Sequence, residues 1–140
     1  MGGPDMAPQS PPTLGSVPAE PGRSSVAQVI AVVKDLFFVA RIRETARLAA
    51  VPLVFARSPE ELTSALAAQP RLVLLDLTGG FDYEKVFAAL PAGARPQVLA
   101  FTTHALARET QPWHARCDRV VTKETLTQQL PELLRHGLGS

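Results

Sequence analysis

Short apolar runs alternate with longer, helix-like stretches along this chain from Val26 onward. The short runs are typical of parallel strands buried on both faces, and the longer stretches carry apolar residues at helical spacing. The pattern predicts five strands, at residues 28–34, 51–56, 72–77, 97–102 and 119–122. Five helices are predicted within residues 37–50, 59–68, 82–90, 105–116 and 125–136. The fold class is therefore expected to be α/β.

Residues that start or break helices refine these boundaries. Ser58, Pro59 and Glu61 supply an N-cap, a proline at the first helical position and the glutamate of a capping box for the second helix. Pro112 predicts a short or broken fourth helix. Pro131 lies inside the fifth helical pattern and is expected in its first turn, where a missing N–H costs least.

Strict alternation of strand and helix over about 110 residues favours one topology. We expect a flavodoxin-like (βα)5 three-layer sandwich, in which helices cover both faces of a parallel sheet with strand order 2-1-3-4-5. In open sheets of this kind, ligands bind beyond the carboxyl ends of the strands, beside strands one and three. We therefore expect the functional residues at the carboxyl ends of the strands.

Polar residues stand at four of the predicted strand ends. Asp35 follows the first strand and Asp76 lies at the end of the third. Thr102 ends the fourth strand, and Lys123 follows the fifth. Because the carboxyl ends of parallel strands meet at one edge, two acids, a hydroxyl and an ammonium are expected to share one pocket. That combination predicts a site of phosphate size.

The composition argues against a membrane protein, a nucleic-acid-binding protein and a disulfide-linked protein. The chain has 140 residues, of which 46% are hydrophobic and 19% charged, and no apolar stretch approaches the ~18 residues that a transmembrane helix needs. Fourteen basic and 13 acidic residues give a net charge of +1, which predicts binding to neither nucleic acid nor an acidic membrane surface. Cys117 is the only cysteine, so no internal disulfide can form, and a cytoplasmic location is expected.

The first 25 residues differ from the rest in composition. They contain six prolines and four glycines, and their only large aliphatic residues are Leu14 and Val17. Such a segment cannot bury enough apolar surface to offset the entropy of ordering it. We expect a disordered tail over residues 1–25, without a secretory signal, followed by one folded domain over residues 26–138.

Four short segments at the predicted strand ends resemble the receiver domains of two-component response regulators, over about residues 26–137. The matching segments are Val32-Val33-Lys34-Asp35, Leu74-Leu75-Asp76-Leu77, Phe101-Thr102-Thr103 and Val121-Thr122-Lys123. Their order and approximate spacing agree with the family. The resemblance implies a CheY-like receiver fold and a place in phosphorelay signalling.

The resemblance also implies roles for these residues. Asp76 would accept a phosphoryl group from a histidine kinase or a phosphotransfer protein. Mg²⁺ would be held by Asp35, Asp76 and the backbone carbonyl of Thr78, since this ion prefers few carboxylates together with phosphate oxygens and water. Lys123 would pair with one phosphate oxygen, and Thr102 would move to form a hydrogen bond with another phosphate oxygen. The face formed by the fourth helix, fifth strand and fifth helix would carry the output to a downstream protein.

One departure from the family pattern weakens the expected metal site. Lys34 occupies the position of the first acidic residue of the usual pair, so a carboxylate is lost and a cation is gained. At ~5 Å and an effective dielectric constant near 20, two like charges cost about 3 kcal/mol, which weakens Mg²⁺ binding. As the pocket cation, Lys34 is expected either to attract phosphate directly or to pair with Asp35 or Asp76.

Some of the same residues also have structural interpretations. Asp35 can serve instead as the N-cap of the first helix, where the helix dipole favours a carboxylate. Phe37 and Phe38 are adjacent and cannot both face inward on a helix, so Phe37 is expected to mark a contact surface. The three histidines, His104, His114 and His136, do not cluster in the sequence and are expected at the surface.

Three functions remain open. The first is a stand-alone receiver phosphorylated on Asp76, which the retention of Thr102 and Lys123 favours. The second, favoured by Lys34, is a pseudo-receiver that acts as an interaction or dimerisation module independently of phosphorylation. The third, a small enzyme or ligand binder, is disfavoured because no nucleophile–base pair or phosphate-binding glycine loop is present. No enzymatic activity is expected beyond self-catalysed phosphoryl acceptance and autodephosphorylation.

Overall fold

The computed structural model describes residues 27–93 and 95–138, so the predicted tail over residues 1–25 lies outside the described residues. The strands are β1 (Val29–Val32), β2 (Leu53–Ala56), β3 (Leu72–Asp76), β4 (Gln97–Thr102) and β5 (Arg119–Thr122). The α-helices are α1 (Leu36–Ala49), α2 (Pro59–Ala65), α3 (Tyr83–Ala89), α4 (Ala107–His114) and α5 (Lys123–His136). Within this part of the chain, no helix is both long and apolar enough to cross a bilayer.

The five strands form one parallel sheet in the order β2-β1-β3-β4-β5, which confirms the predicted flavodoxin-like topology. In this register Val32 at the end of β1 lies between Ala56 of β2 and Leu75 of β3. At the other side of the sheet, Thr102 at the end of β4 lies beside Thr122 of β5. The carboxyl ends of all five strands therefore meet at one edge.

Side chains of the central strands point alternately to two separate cores. Ala31, Leu74 and Phe101 belong to the core beneath α1 and α5, whereas Ile30 and Leu75 belong to the core beneath α2, α3 and α4. Every residue of β1 and β3 is buried, as expected when helices cover both faces of a parallel sheet. This double burial explains why the strands read as uninterrupted apolar runs in the sequence.

The second helix is capped nearly as predicted. The Ser58 hydroxyl accepts a hydrogen bond from the Glu61 N–H at 3.1 Å, and Pro59 begins the helix. The Glu61 carboxylate accepts a hydrogen bond from the N–H of Arg57 at 2.7 Å. In a standard capping box it would accept from the N–H of the N-cap residue, which here is Ser58. Side chains at the start of α2 thus satisfy the N–H groups of Glu61 and Arg57.

The predicted position of Pro131 was wrong. Helix α5 begins at Lys123, because Thr122 caps it by accepting a hydrogen bond from the Thr125 N–H at 3.1 Å, and Pro131 consequently lies well past the first turn. A proline there cannot donate to the carbonyl four residues earlier, on Thr127. Pro131 is exposed, so water can reach the unpaired carbonyl. Pro112 also lies within a helix, the short α4, in agreement with the predicted short fourth helix.

Asp35 caps α1 and also links it to α5. One carboxylate oxygen accepts hydrogen bonds from the N–H groups of Phe37 at 2.9 Å and Phe38 at 3.3 Å. The other lies 3.3 Å from the ammonium nitrogen of Lys123, whose side chain lies over the Phe38 ring. The hydrogen bond from Phe38 and the interaction with Lys123 lower the pKa of the Asp35 carboxyl below its ordinary value. One side chain thus fixes the start of α1 and its contact with α5.

We predict that Asp35→Ala lowers the thermal unfolding temperature at neutral pH, and that this difference becomes smaller in acid, where only the charge-dependent part of the stabilisation is lost. Because the folded state lowers the pKa, this part of the stabilisation is fully present above the unfolded-state value of about 3.9 and is lost as the pH falls through the folded-state value. The measurement is thermal unfolding followed by circular dichroism over a series of pH values. Asp35→Asn is the matched control, because asparagine retains the cap and loses only the charge. An Ala effect equally large in acid would contradict the prediction.

Candidate functional site

The structure brings the sequence-predicted site residues to the carboxyl edge of the sheet. Asp76 is the last residue of β3 and pairs with Phe101, so it lies next to the end of β4. Thr102 ends β4 beside Thr122, and Lys123 follows directly as the first residue of α5. The shared edge was therefore predicted correctly, whereas the hydrogen-bond partners there differ from those that the family resemblance implies.

The Asp76 carboxylate is enclosed by its own loop. Its side chain is almost wholly buried, with 5% of the residue exposed. One oxygen, Oδ1, accepts hydrogen bonds from both the N–H of Thr78 at 2.8 Å and the Thr78 hydroxyl at 2.7 Å. No salt bridge joins Asp76 to a lysine or arginine within residues 27–93 and 95–138. Neutral donors of the following turn thus satisfy one oxygen of this carboxylate.

Two aromatic residues of the same loop complete the enclosure. The Tyr83 hydroxyl donates to the backbone carbonyl of Asp76 at 2.6 Å and accepts from the Gly79 N–H at 3.1 Å. Burial raises the pKa of this phenol, so it remains a donor at neutral pH. The buried Phe81 ring packs so closely on Gly79 that a Cβ atom there would lie 2.7 Å from the ring and 3.4 Å from Asp76 Oδ2. Glycine is therefore required for the loop to close in this way.

Lys34 contacts an aromatic side chain of this loop. Its ammonium nitrogen lies 4.5 Å from the centroid of the Phe81 ring, in a cation–π arrangement. Among the described residues it pairs with neither Asp35 nor Asp76, which excludes one of the two roles expected for it. Lys34 instead contacts the ring that packs on Gly79, three residues after Asp76.

Thr102 is tied to α4 rather than facing an open pocket. The residue is 4% exposed, and its hydroxyl oxygen lies 3.1 Å from the hydroxyl oxygen of Thr110 in α4. Thr110 Oγ1 is also 2.8 Å from Nε2 of His114, so three side chains form one hydrogen-bonded chain. The expectation that all histidines lie at the surface was wrong for His114, which is half-buried and takes part in this chain.

Sequence reasoning missed the residues that close the site. Thr78 was expected to offer only its carbonyl, and neither Tyr83 nor Thr110 was singled out. Thr78 could have been found, because a threonine two residues after an aspartate commonly donates to its carboxylate in a turn. Thr110 and Tyr83 carry no such local signal, since their partners lie eight and seven residues away along the chain.

The residues at this edge fit a magnesium ion poorly. Mg²⁺ requires near-octahedral oxygen coordination, usually from one or two carboxylates together with phosphate and water. Asp35 already caps α1 and contacts Lys123, and Oδ1 of Asp76 is occupied by both donors of Thr78. Lys34 supplies a cation where a third carboxylate is expected, and no cluster of three or more acidic, histidine or cysteine ligands exists among the described residues. The expected Mg²⁺ site stays a prediction that this donor set does not favour.

The fold is similar to that of solved receiver domains. The response regulator signal receiver domain from Bermanella marisrubri superimposes with a TM-score of 0.62 at 19% identity, covering 78% of this chain and 96% of that one. The phosphorylated cyanobacterial phytochrome response regulator RcpA gives a TM-score of 0.54 at 22% identity, covering 76% and 87% of the two chains. No protein-family model matches the sequence, and no curated protein matches significantly. The chain therefore has the fold of response regulator receiver domains.

Proposed function

We propose that this chain is a pseudo-receiver, a protein-interaction module with the receiver fold that acts without phosphoryl transfer to Asp76. The observation that carries the proposal is the enclosure of Asp76, which is 5% exposed and accepts two hydrogen bonds from Thr78 at one carboxylate oxygen. A phosphoryl donor must reach that carboxylate in line with the bond that breaks. With 5% of Asp76 exposed and Thr78 bonded to Oδ1, little of the carboxylate is accessible to such a donor.

The charges around Asp76 also oppose phosphoryl transfer. Transfer depends on cations that neutralise the charge developing on the phosphoryl oxygens. Lys123 is engaged with Asp35 at 3.3 Å, and the Lys34 ammonium lies 4.5 Å from the centroid of the Phe81 ring and forms no salt bridge with Asp76. These two lysines therefore do not supply the positive charge that a phosphoryl-acceptor site needs at Asp76.

A specific observation favours a second function, a stand-alone receiver phosphorylated on Asp76 by a histidine kinase or a phosphotransfer protein. Asp76, Thr102 and Lys123 all lie at the carboxyl edge of adjacent strands, where the resemblance expects them. The Lys123 and Asp35 side chains are 40% and 41% exposed, so their ion pair can exchange with solvent. In this function Lys123 leaves Asp35, Thr102 leaves Thr110, and the face of α4, β5 and α5 signals to a downstream protein.

We predict that the wild-type chain acquires no phosphoryl group when incubated with acetyl phosphate and Mg²⁺, because the Asp76 carboxylate is enclosed. The measurement is the intact mass, with an active receiver domain treated in parallel to show that the reagent works. Asp76→Asn identifies the site of any adduct. A phosphorylated wild-type species that is lost in Asp76→Asn would establish the second function and reject the pseudo-receiver.

We also predict that Lys34→Asp binds Mg²⁺ at least tenfold more tightly than the wild type. The change removes a cation and adds a ligand, and one such charge pair at ~5 Å is worth about 3 kcal/mol. Isothermal titration of both proteins with Mg²⁺ gives the two dissociation constants. Lys34→Ala is the matched control, because it removes the cation without adding a carboxylate, and it should give a smaller gain. Equal affinity in wild type and Lys34→Asp would show that the Thr78 loop, not Lys34, prevents metal binding.

A further inference from the structure

Two large apolar side chains at the start of α1 are exposed to solvent. Leu36 is 70% exposed and Phe37 is 91% exposed, whereas the neighbouring Phe38 is buried against Phe101. The sequence predicted a contact surface at Phe37, and its exposure agrees with that prediction. An aromatic ring held in water at a helix start, where no described residue covers it, marks a surface for association.

An open groove runs beside Phe37 between α1 and α5. Its volume is about 820 Å³, and its apolar part is formed by Phe37, Phe38 and Ala40. Helix α5 forms the opposite wall through Lys123 and Thr127. A projecting ring and a groove that can receive one thus lie on the same face of the molecule.

The charges along this groove have both signs. Arg41 of α1 and Glu124 of α5 line it, and neither forms a salt bridge within the described part of the chain. The other three charged residues of the groove are paired, Asp35 with Lys123 and Glu44 with Arg47 of the same helix. A partner surface that also carries one cation and one anion can pair with both Arg41 and Glu124. A strongly acidic partner would repel Glu124, and a strongly basic partner would repel Arg41.

A second copy of this chain is the occupant that these features fit. A two-fold interface is self-complementary, so that each residue pair occurs twice. We propose that two copies associate through the α1–α5 groove, with Phe37 of each packed in the groove of the other and Arg41 facing Glu124 of the second copy. The proposal deepens the proposed function, on which it rests, by naming the partner of the interaction module.

The size of the groove sets the expected strength of association. Ten residues line it, fewer than the roughly 20 to 30 per side of a standard stable interface. The dimer is therefore weak, with a dissociation constant on the order of tens of micromolar, and its population depends on concentration.

Sedimentation equilibrium of the full chain tests the proposal over concentrations from about 5 to about 500 µM, which bracket the expected constant. The average mass should rise from one chain towards two, and Phe37→Ser should weaken association at least tenfold. Leu48→Ser is the matched control, because Leu48 lies on the same helix, is 69% exposed and does not line the groove. Circular dichroism confirms that each variant is folded.

A charge exchange tests the orientation of the two copies. Arg41→Glu alone should weaken association by repulsion, and Arg41→Glu combined with Glu124→Arg should restore it, because the pair is reversed on both sides of the two-fold axis. A chain that stays monomeric up to ~500 µM would overturn the dimer, as would an equal loss of association in Phe37→Ser and Leu48→Ser. Failure of the double variant to restore association would overturn the assigned pairing.

Asp76→Asn separates this inference from the proposed function. The variant leaves the α1–α5 groove unchanged, so it should associate like the wild type. A monomeric chain that acquires no phosphoryl group would reject the dimer and keep the pseudo-receiver. A dimeric chain phosphorylated on Asp76 would keep the interface and reject the pseudo-receiver.

Discussion

A carboxylate at the end of a strand buried on both faces must find hydrogen-bond donors close by, and this constraint shapes the whole carboxyl edge of the sheet. Burying a charged group costs several kcal/mol unless it is bonded or paired. Asp76 is the last residue of β3, and Thr78 supplies two donors within the same turn. The loop therefore folds back over the carboxylate, and Phe81 and Tyr83 take positions that depend on this fold.

Two other candidate site residues at this edge also have partners. Asp35 is bonded to the start of α1 and to Lys123, and Thr102 is bonded to Thr110. An open phosphoryl-acceptor site would need several of these interactions to be exchanged at once. Leaving the buried Asp76 or Thr102 unsatisfied costs about 1–3 kcal/mol, whereas the exposed Asp35–Lys123 pair can exchange with solvent at little cost. The interactions that hold the helices to the sheet are thus the same ones that occupy the predicted site.

The enclosure of Asp76 does not involve the groove between α1 and α5, where we propose that two copies associate. Because Asp35 holds the first turn of α1 in place, Phe37 is fixed outward while Phe38 is fixed inward against Phe101. The groove between α1 and α5 is bordered by the same Asp35–Lys123 pair. A fold that performs phosphoryl transfer in other proteins can thus serve as a binding scaffold, since the function depends on the site and not on the fold alone.

The sequence by itself determined the sheet, its strand order and the edge at which the polar residues meet. Residues 97–102 were predicted with the observed bounds, because burial on both faces leaves a continuous apolar run between polar ends. Residues 119–122 were also predicted with the observed bounds, although this edge strand is only partly buried, because two valines stand between Arg119 and Thr122. The start of α5 was missed, because Thr122 acts both as the last strand residue and as the helix cap. Tertiary structure alone decided which polar groups meet: Lys123 bonds Asp35, 88 residues away, and Lys34 lies over Phe81. Such choices depend on differences of about an ångström between side chains from separate elements, which no local pattern of residues encodes.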